Sequence, residues 1–188
     1  QTEFTNSDLL IASATPQFER LVAPFPIATG VRIPVGGYSY HTYRVEYQAG
    51  QQRRVSGNVF VETGTFYNGT KSSIGMSAAR VQVTPQVSLE PSFSVDWVDL
   101  AQGRFTAKVA RNRATFTLTP RIYVSGIVQY NSTNASVGSN LRFRWEYRPG
   151  SEVFVVYTDD YDTVGRPGAD ALRNRAFVVK VNRLLQIG

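Results

Sequence analysis

The chain has 188 residues, a net charge of +6 and 42% hydrophobic residues, with 15 glycines, nine prolines and no cysteine. That length fits one domain able to bury a core, and the composition excludes a disordered or collagen-like chain. Without cysteine there can be no disulfide, thiolate metal site or thiol nucleophile, and basic residues scattered without runs argue against a nucleic-acid partner.

Taken in chain order, period-two alternation predicts about ten strands: 2–14, 37–48, 53–66, 72–84, 87–98, 104–118, 121–131, 140–148, 152–159 and 174–186. In "VSGNVFVET", Val55, Val59 and Val61 oppose Ser56, Asn58 and Glu62. In "VSLEPSFSVDWVD", Val87, Leu89, Phe93, Val95 and Trp97 oppose Ser88, Glu90, Ser92, Ser94 and Asp96. "RIYVSGIVQYN" sets Ile122, Val124, Val128 and Tyr130 on one face, and "AFVVKVNRL" does the same with Phe177, Val179 and Val181. Two segments slip phase. In "GGYSYHTYRVEYQAG", Tyr38 and Tyr40 are followed by Tyr43, Val45 and Tyr47 in the other parity, which predicts a bulge. "IGMSAARVQVTP" changes parity between Met76 and Val81.

The joins suggest an up-and-down meander. Those around 48–52, 84–86, 119–121 and 148–151 are tight, with Pro and Gly turn chemistry. The alternate joins are expected to be longer, above all 15–36 and 159–173. Short turns at one end and long loops at the other fit a barrel of the bacterial outer membrane, with the C-terminus on the periplasmic side. No apolar run reaches the roughly 18 residues of a membrane helix. A barrel strand needs only about 10 alternating residues. No signal-peptide pattern opens the chain, which begins at Gln1 as a processed mature protein or a fragment would.

The segment "NLRFRWEYRPGSEVFVVYTDD" sharpens that reading. Leu141, Phe143, Trp145 and Tyr147 share one parity, and Arg142, Arg144, Glu146 and Arg148 the other. A water-soluble sandwich explains alternation alone, with apolar faces inward. Mid-strand charges such as Glu62, Glu90, Asp96 and Lys180, together with aromatics near strand ends, fit lipid better. On that reading Arg142, Arg144, Glu146 and Arg148 form a charged ladder facing a wet lumen. Trp97, Tyr130, Trp145, Tyr147 and Tyr157 form an aromatic girdle at the membrane interfaces.

The stretches "ERLVAPFPIATGVRIPVGGYSYHTYRVEYQAGQQRRVSGNV", "GTFYNGTKSSIGM", "SGIVQYNS", "SNLRFRWEYRPGSEVFVVYTD" and "RAFVVKVNRLL" resemble a family of uncharacterised bacterial outer-membrane proteins. In that family a domain similar to family 9 carbohydrate-binding modules precedes a large C-terminal β-barrel. The resemblance runs from about Phe18 to the end and covers the last part of the family barrel. It implies a longer barrel, and carbohydrate recognition or uptake through a domain with no counterpart in these residues.

Motifs for chemistry are sparse. His41, the one histidine, could join Asp96, Asp99, Asp159, Asp160 and Asp162 at an external rim, as in small outer-membrane proteases, though a lone His with scattered Asp usually marks solvated loops. "DDYD" (159–162) offers carboxylates to calcium but lacks the spacing and glycine of a calcium loop. Asn68-Gly69-Thr70, Asn131-Ser132-Thr133 and Asn134-Ala135-Ser136 match the glycosylation pattern and otherwise read as polar loop tips. The arginine ladder could favour anionic solutes; the plainer account is that its charges pair across neighbouring strands.

The expectation is therefore an all-β, antiparallel up-and-down transmembrane barrel over 1–188, or the C-terminal fragment of one, with no internal linker. It would act as an outer-membrane anchor or passage module, with outer-membrane lipid as partner, no nucleic acid, no cofactor, no metal and no catalytic motif. The alternatives are a soluble all-β binding or surface-assembly module and a rim-active outer-membrane hydrolase.

Overall fold

A computed structural model describes residues 2–164 and 171–185. Among them there are thirteen strands and no α-helix: β1 (Thr2–Glu3), β2 (Leu9–Leu21), β3 (Phe25–Ala28), β4 (Val31–Ile33), β5 (Gly36–Ala49), β6 (Val55–Phe66), β7 (Gly69–Gln82), β8 (Val87–Leu100), β9 (Gly103–Thr119), β10 (Ile122–Asn131), β11 (Ser136–Arg148), β12 (Ser151–Asp162) and β13 (Leu172–Asn182). Eleven form one up-and-down sheet in the order β1-β2-β5-β6-β7-β8-β9-β10-β11-β12-β13, and β3 and β4 form a separate hairpin. The strand order is linear.

The ten anticipated strands correspond to β2 and β5 through β13. The first is displaced, because β2 runs through Pro16 to Leu21. His41 lies opposite Pro16, and its N–H points away from β2 to the Thr65 hydroxyl (3.0 Å). Pro16 therefore occupies a position where the missing N–H falls on the free side of the strand, as an edge strand tolerates.

The bulge expected in β5 is absent. Its register against β2 runs unbroken from Leu9↔Gln48 to Leu21↔Gly36. Tyr38 and Tyr40 change face because they belong to a packed aromatic group. In β7 the phase change is a backbone irregularity: Ala78 takes a left-handed conformation (φ 49°) inside the strand. The end-to-end asymmetry of the joins is weaker than expected. β6–β7 and β8–β9 turn in two residues, like β9–β10 and β11–β12, and 15–36 contains the end of β2 and the β3–β4 hairpin. Of the join 159–173, residues 165–170 lie outside the described residues, as does residue 186 at the end of the last expected strand.

The contacts gather into two compact units, with the chain passing from one to the other inside β7, β8 and β9. The first comprises residues up to Ala79 with Ser92–Ala110, and the second Arg80–Pro91 with residues from Arg111 onward.

In the first unit the β3–β4 hairpin seals a small core. Val31, Ile33, Val98 and Leu100 are buried, with Leu21, Ile27, Tyr38, Phe66 and Phe105 packed around them. Ile33 has 0% exposure. The hairpin turns at Gly30, whose φ of 78° suits a residue without Cβ. Tyr40 and Tyr67 direct their hydroxyls to the same Glu19 carboxylate oxygen, at 3.3 and 2.8 Å, and their rings meet Phe66 edge to face. At the other end Asp8 is buried. It accepts from the Tyr47 hydroxyl (2.5 Å), the Gly50 amide (2.8 Å) and Arg53 (2.8 Å), tying the N-terminal segment to the β5–β6 turn.

In the second unit no hydrophobic residue among those described is buried. Four strands, β10 to β13, pair in continuous register apart from bulges at Glu146/Arg148 and Asp160/Tyr161.

Candidate functional site

Strand pairing sorts side chains strictly by face, because directly opposed residues project the same way. In the first unit the rows Ser13–Arg44–Glu62 and Ile11–Glu46–Phe60 occupy one face, and Ala12–Val45–Val61 and Leu10–Tyr47–Val59 the other. The first face carries a closed charge network. Glu46 accepts from Arg44 Nη2 (2.5 Å), Gln48 (2.7 Å) and Asn58 (3.0 Å), while Glu62 lies 3.5 Å from Arg44 and 3.0 Å from Lys71. The Arg44 guanidinium stacks 3.7 Å above the Phe60 ring.

Exposure is inverted relative to a water-soluble sheet. The Glu46 and Glu62 side chains are 13% and 15% exposed. On the opposite face Tyr43, Val45 and Val61 are 57%, 46% and 51% exposed. The sequence placed Glu62 on a charged face but passed over Arg44, Glu46 and Lys71. The signal was present in "YRVEY", which alternates as "LRFRWEYR" does.

In the second unit the rows Ser125–Arg142–Val156–Val178 and Tyr123–Arg144–Phe154–Lys180 share a face. All of these except Ser125 line a cavity of about 310 Å³. Arg144 is ion-paired with Glu152 and leans over the Tyr123 ring. Arg142 donates to Asn140 Oδ1 (2.8 Å), and neither it nor Lys180 has a carboxylate partner among the described residues. The face is thus mixed, with Phe154, Val156 and Val178 set among the cations.

The four-residue ladder therefore divides. Arg142 and Arg144 line the cavity, whereas Glu146 and Arg148 sit at the β11–β12 turn. There Glu146 accepts from the Gly150 amide (3.1 Å), and Arg148 is exposed beyond the bulge.

The opposite face carries the rows Leu141–Tyr157–Phe177, Phe143–Val155–Val179 and Trp145–Val153–Val181. Trp145 and Tyr147 meet edge to face (6.0 Å) at one end, and Tyr130 stands exposed at the other. Tyr157 is half-buried and donates to Asp159 (3.1 Å), in the polar row Ser139–Asp159–Arg175 that borders the band. Trp97 is exposed on β8 of the first unit.

His41 is exposed on the apolar face of the first unit, and Asp99 is tied to Arg104 (2.8 Å). Alternation separates the "DDYD" carboxylates: Asp159 bonds Ser139 (2.5 Å) on one face, while Asp160 and Asp162 take the other, where Asp162 holds Arg173 (2.8 Å). Among the described residues no three His, Asp or Glu side chains stand together as a metal site would require. Asn131 caps its own loop by accepting the Thr133 amide (2.8 Å). No family of known proteins, curated protein or solved structure matches this chain.

Proposed function

We propose that this chain is an outer-membrane β-barrel protein, or the C-terminal part of a larger barrel, serving as a membrane anchor or a passage for small solutes. One observation carries the reading: across β5 and β6 the charged side chains Arg44, Glu46 and Glu62 are the sheltered ones, and Tyr43, Val45 and Val61 on the opposite face are the open ones. In water that arrangement forfeits about 25 cal/mol per Å² of apolar surface left exposed. Against acyl chains the same surface is satisfied, and the charges turn to a wet interior where they escape the roughly 2–4 kcal/mol that a lipid-facing cation incurs at mid-bilayer. The second unit, with no buried hydrophobic residue among those described, suits an element whose apolar side is solvated by lipid. The family resemblance adds carbohydrate recognition through a domain outside these residues.

The test is detergent dependence. The protein is expected to require detergent for solubility and to migrate differently on gels before and after heating. A monodisperse preparation in plain buffer overturns the reading.

A soluble all-β binding or surface-assembly module is favoured by one strand. On β9 the side opposite the packed Phe105 carries exposed Arg104, Thr106 and Lys108, a polar strip where lipid would want apolar side chains. Solubility without detergent is the outcome that selects this alternative.

A further inference from the structure

We propose that the cavity on the charged face of β10–β13 binds a small organic monoanion with an apolar body, a carboxylate borne on an aromatic or aliphatic group. Three cations, Arg142, Arg144 and Lys180, line it, and among the described residues the only carboxylate bonded to any of them is Glu152, on Arg144. Arg142 and Lys180 stand two strands apart, about 10 Å between strand axes, and flank the space above Val156 and Phe154. A carboxylate there meets the planar donor fork of Arg142 from one side and the ammonium of Lys180 from the other.

The floor decides what the anion must carry. Phe154, Val156 and Val178 lie on the same face, and Tyr123 borders Arg144. An inorganic anion gains nothing from those side chains, whereas a ring or short alkyl group covers them while its charge reaches the cations. The volume, about 310 Å³, falls at the lower end for small-molecule sites and suits a benzoate-sized ligand. Arginine-rich strands with a hydrophobic floor are also unsuited to phosphate cradling, because the strand amides are spent in the ladder. The inference deepens the passage reading by giving it a solute class, and it rests on that reading for the solute's route but not for binding.

The experiment is a fluorine NMR titration of the purified protein in detergent with 4-fluorobenzoate. Saturable binding is expected, weakened about tenfold by Arg142→Gln or Lys180→Gln, since each removes one charge-assisted bond. Arg142→Lys should recover part of the loss, and Phe154→Ala should weaken binding without altering charge. Arg175→Gln, on the opposite face, should leave it unchanged. Unaltered heat-modifiable migration establishes that each variant is folded. Absence of saturation, equal binding of 4-fluorobenzylamine, competition by sulfate at equal concentration, or an equal loss in Arg175→Gln overturns the site. A detergent-free monodisperse protein overturns the membrane reading instead, and the titration can then be repeated in buffer.

Discussion

Arg44 and Glu62 oppose each other across β5 and β6 at 3.5 Å, and the very next pair, Val45 and Val61, points the other way into the open. One residue of register separates a sheltered ion pair from an exposed hydrophobic pair. Any slip would exchange the two sets, so the register of this strand pair is strongly specified.

A cation on the open side tests what that side meets. Val61→Arg is expected to cost about 2–4 kcal/mol of stability in a bilayer, the depth-dependent cost of a lipid-facing arginine. Urea unfolding in lipid vesicles measures it. An unchanged or improved midpoint would count for water on that face.

The Glu62 carboxylate joins Arg44 and Lys71, so Glu62→Gln leaves two partly sheltered cations with one fewer partner. A loss of about 1–3 kcal/mol is expected, from charge-assisted bonds not replaced by an amide. The double variant Glu62→Gln, Lys71→Met should lose less than the sum of the singles, because the pair is coupled. Additive losses would deny the coupling.

Among the described residues Ile33 is the one large side chain with no exposure, so Ile33→Ala should cost about 2–5 kcal/mol through the cavity it leaves. Its neighbour Arg32 is exposed on the same hairpin, and Arg32→Ala should stay within about 0.5 kcal/mol. Thermal unfolding of both variants reads the difference, and equal effects would mean the hairpin is not seated as described.

The Asp8 carboxyl lies below its ordinary value of 3.8, chiefly because the Tyr47 hydroxyl and the Gly50 amide donate to it, with Arg53 adding to both and burial opposing them. A carboxylate depressed by folding stabilises fully above the unfolded value, and that contribution is lost as pH falls through the lower folded value. The clamp on the β5–β6 turn should therefore hold at pH 5 and release in strong acid. The protection of the Gly50 amide against hydrogen exchange, taken relative to the intrinsic rate at each pH, should fall across that window in the native chain. In Asp8→Asn that protection should already be low at pH 5 and depend less on acid.

Alternation alone revealed ten strands and the face on which most side chains lie, because the period of two is a local property of the extended chain. Strand pairing keeps Val59 and Val61 on the face opposite Glu62, and Leu141 and Trp145 on the face opposite Arg142 and Arg144. Three features were illegible. Pro16 fell within the expected join 15–36, since only the pairing of β2 with β5 shows that its nitrogen faces the free edge. Tyr38 and Tyr40 read as one side of a bulge, since only tertiary packing explains rings on a charged face: Tyr38 packs against the core that the β3–β4 hairpin forms with Val98 and Leu100, and Tyr40 against Phe66 and Tyr67. The ladder of Arg142, Arg144, Glu146 and Arg148 read as one unit, but Glu146 turns to the Gly150 amide and the bulge after it sets Arg148 apart. Strands from further along the chain bring Phe154, Val156 and Lys180 beside its first half. The sequence by itself determined the faces; tertiary structure decided which face is sheltered and which residues share it, because neighbours across strands are set by pairing between residues distant in the chain.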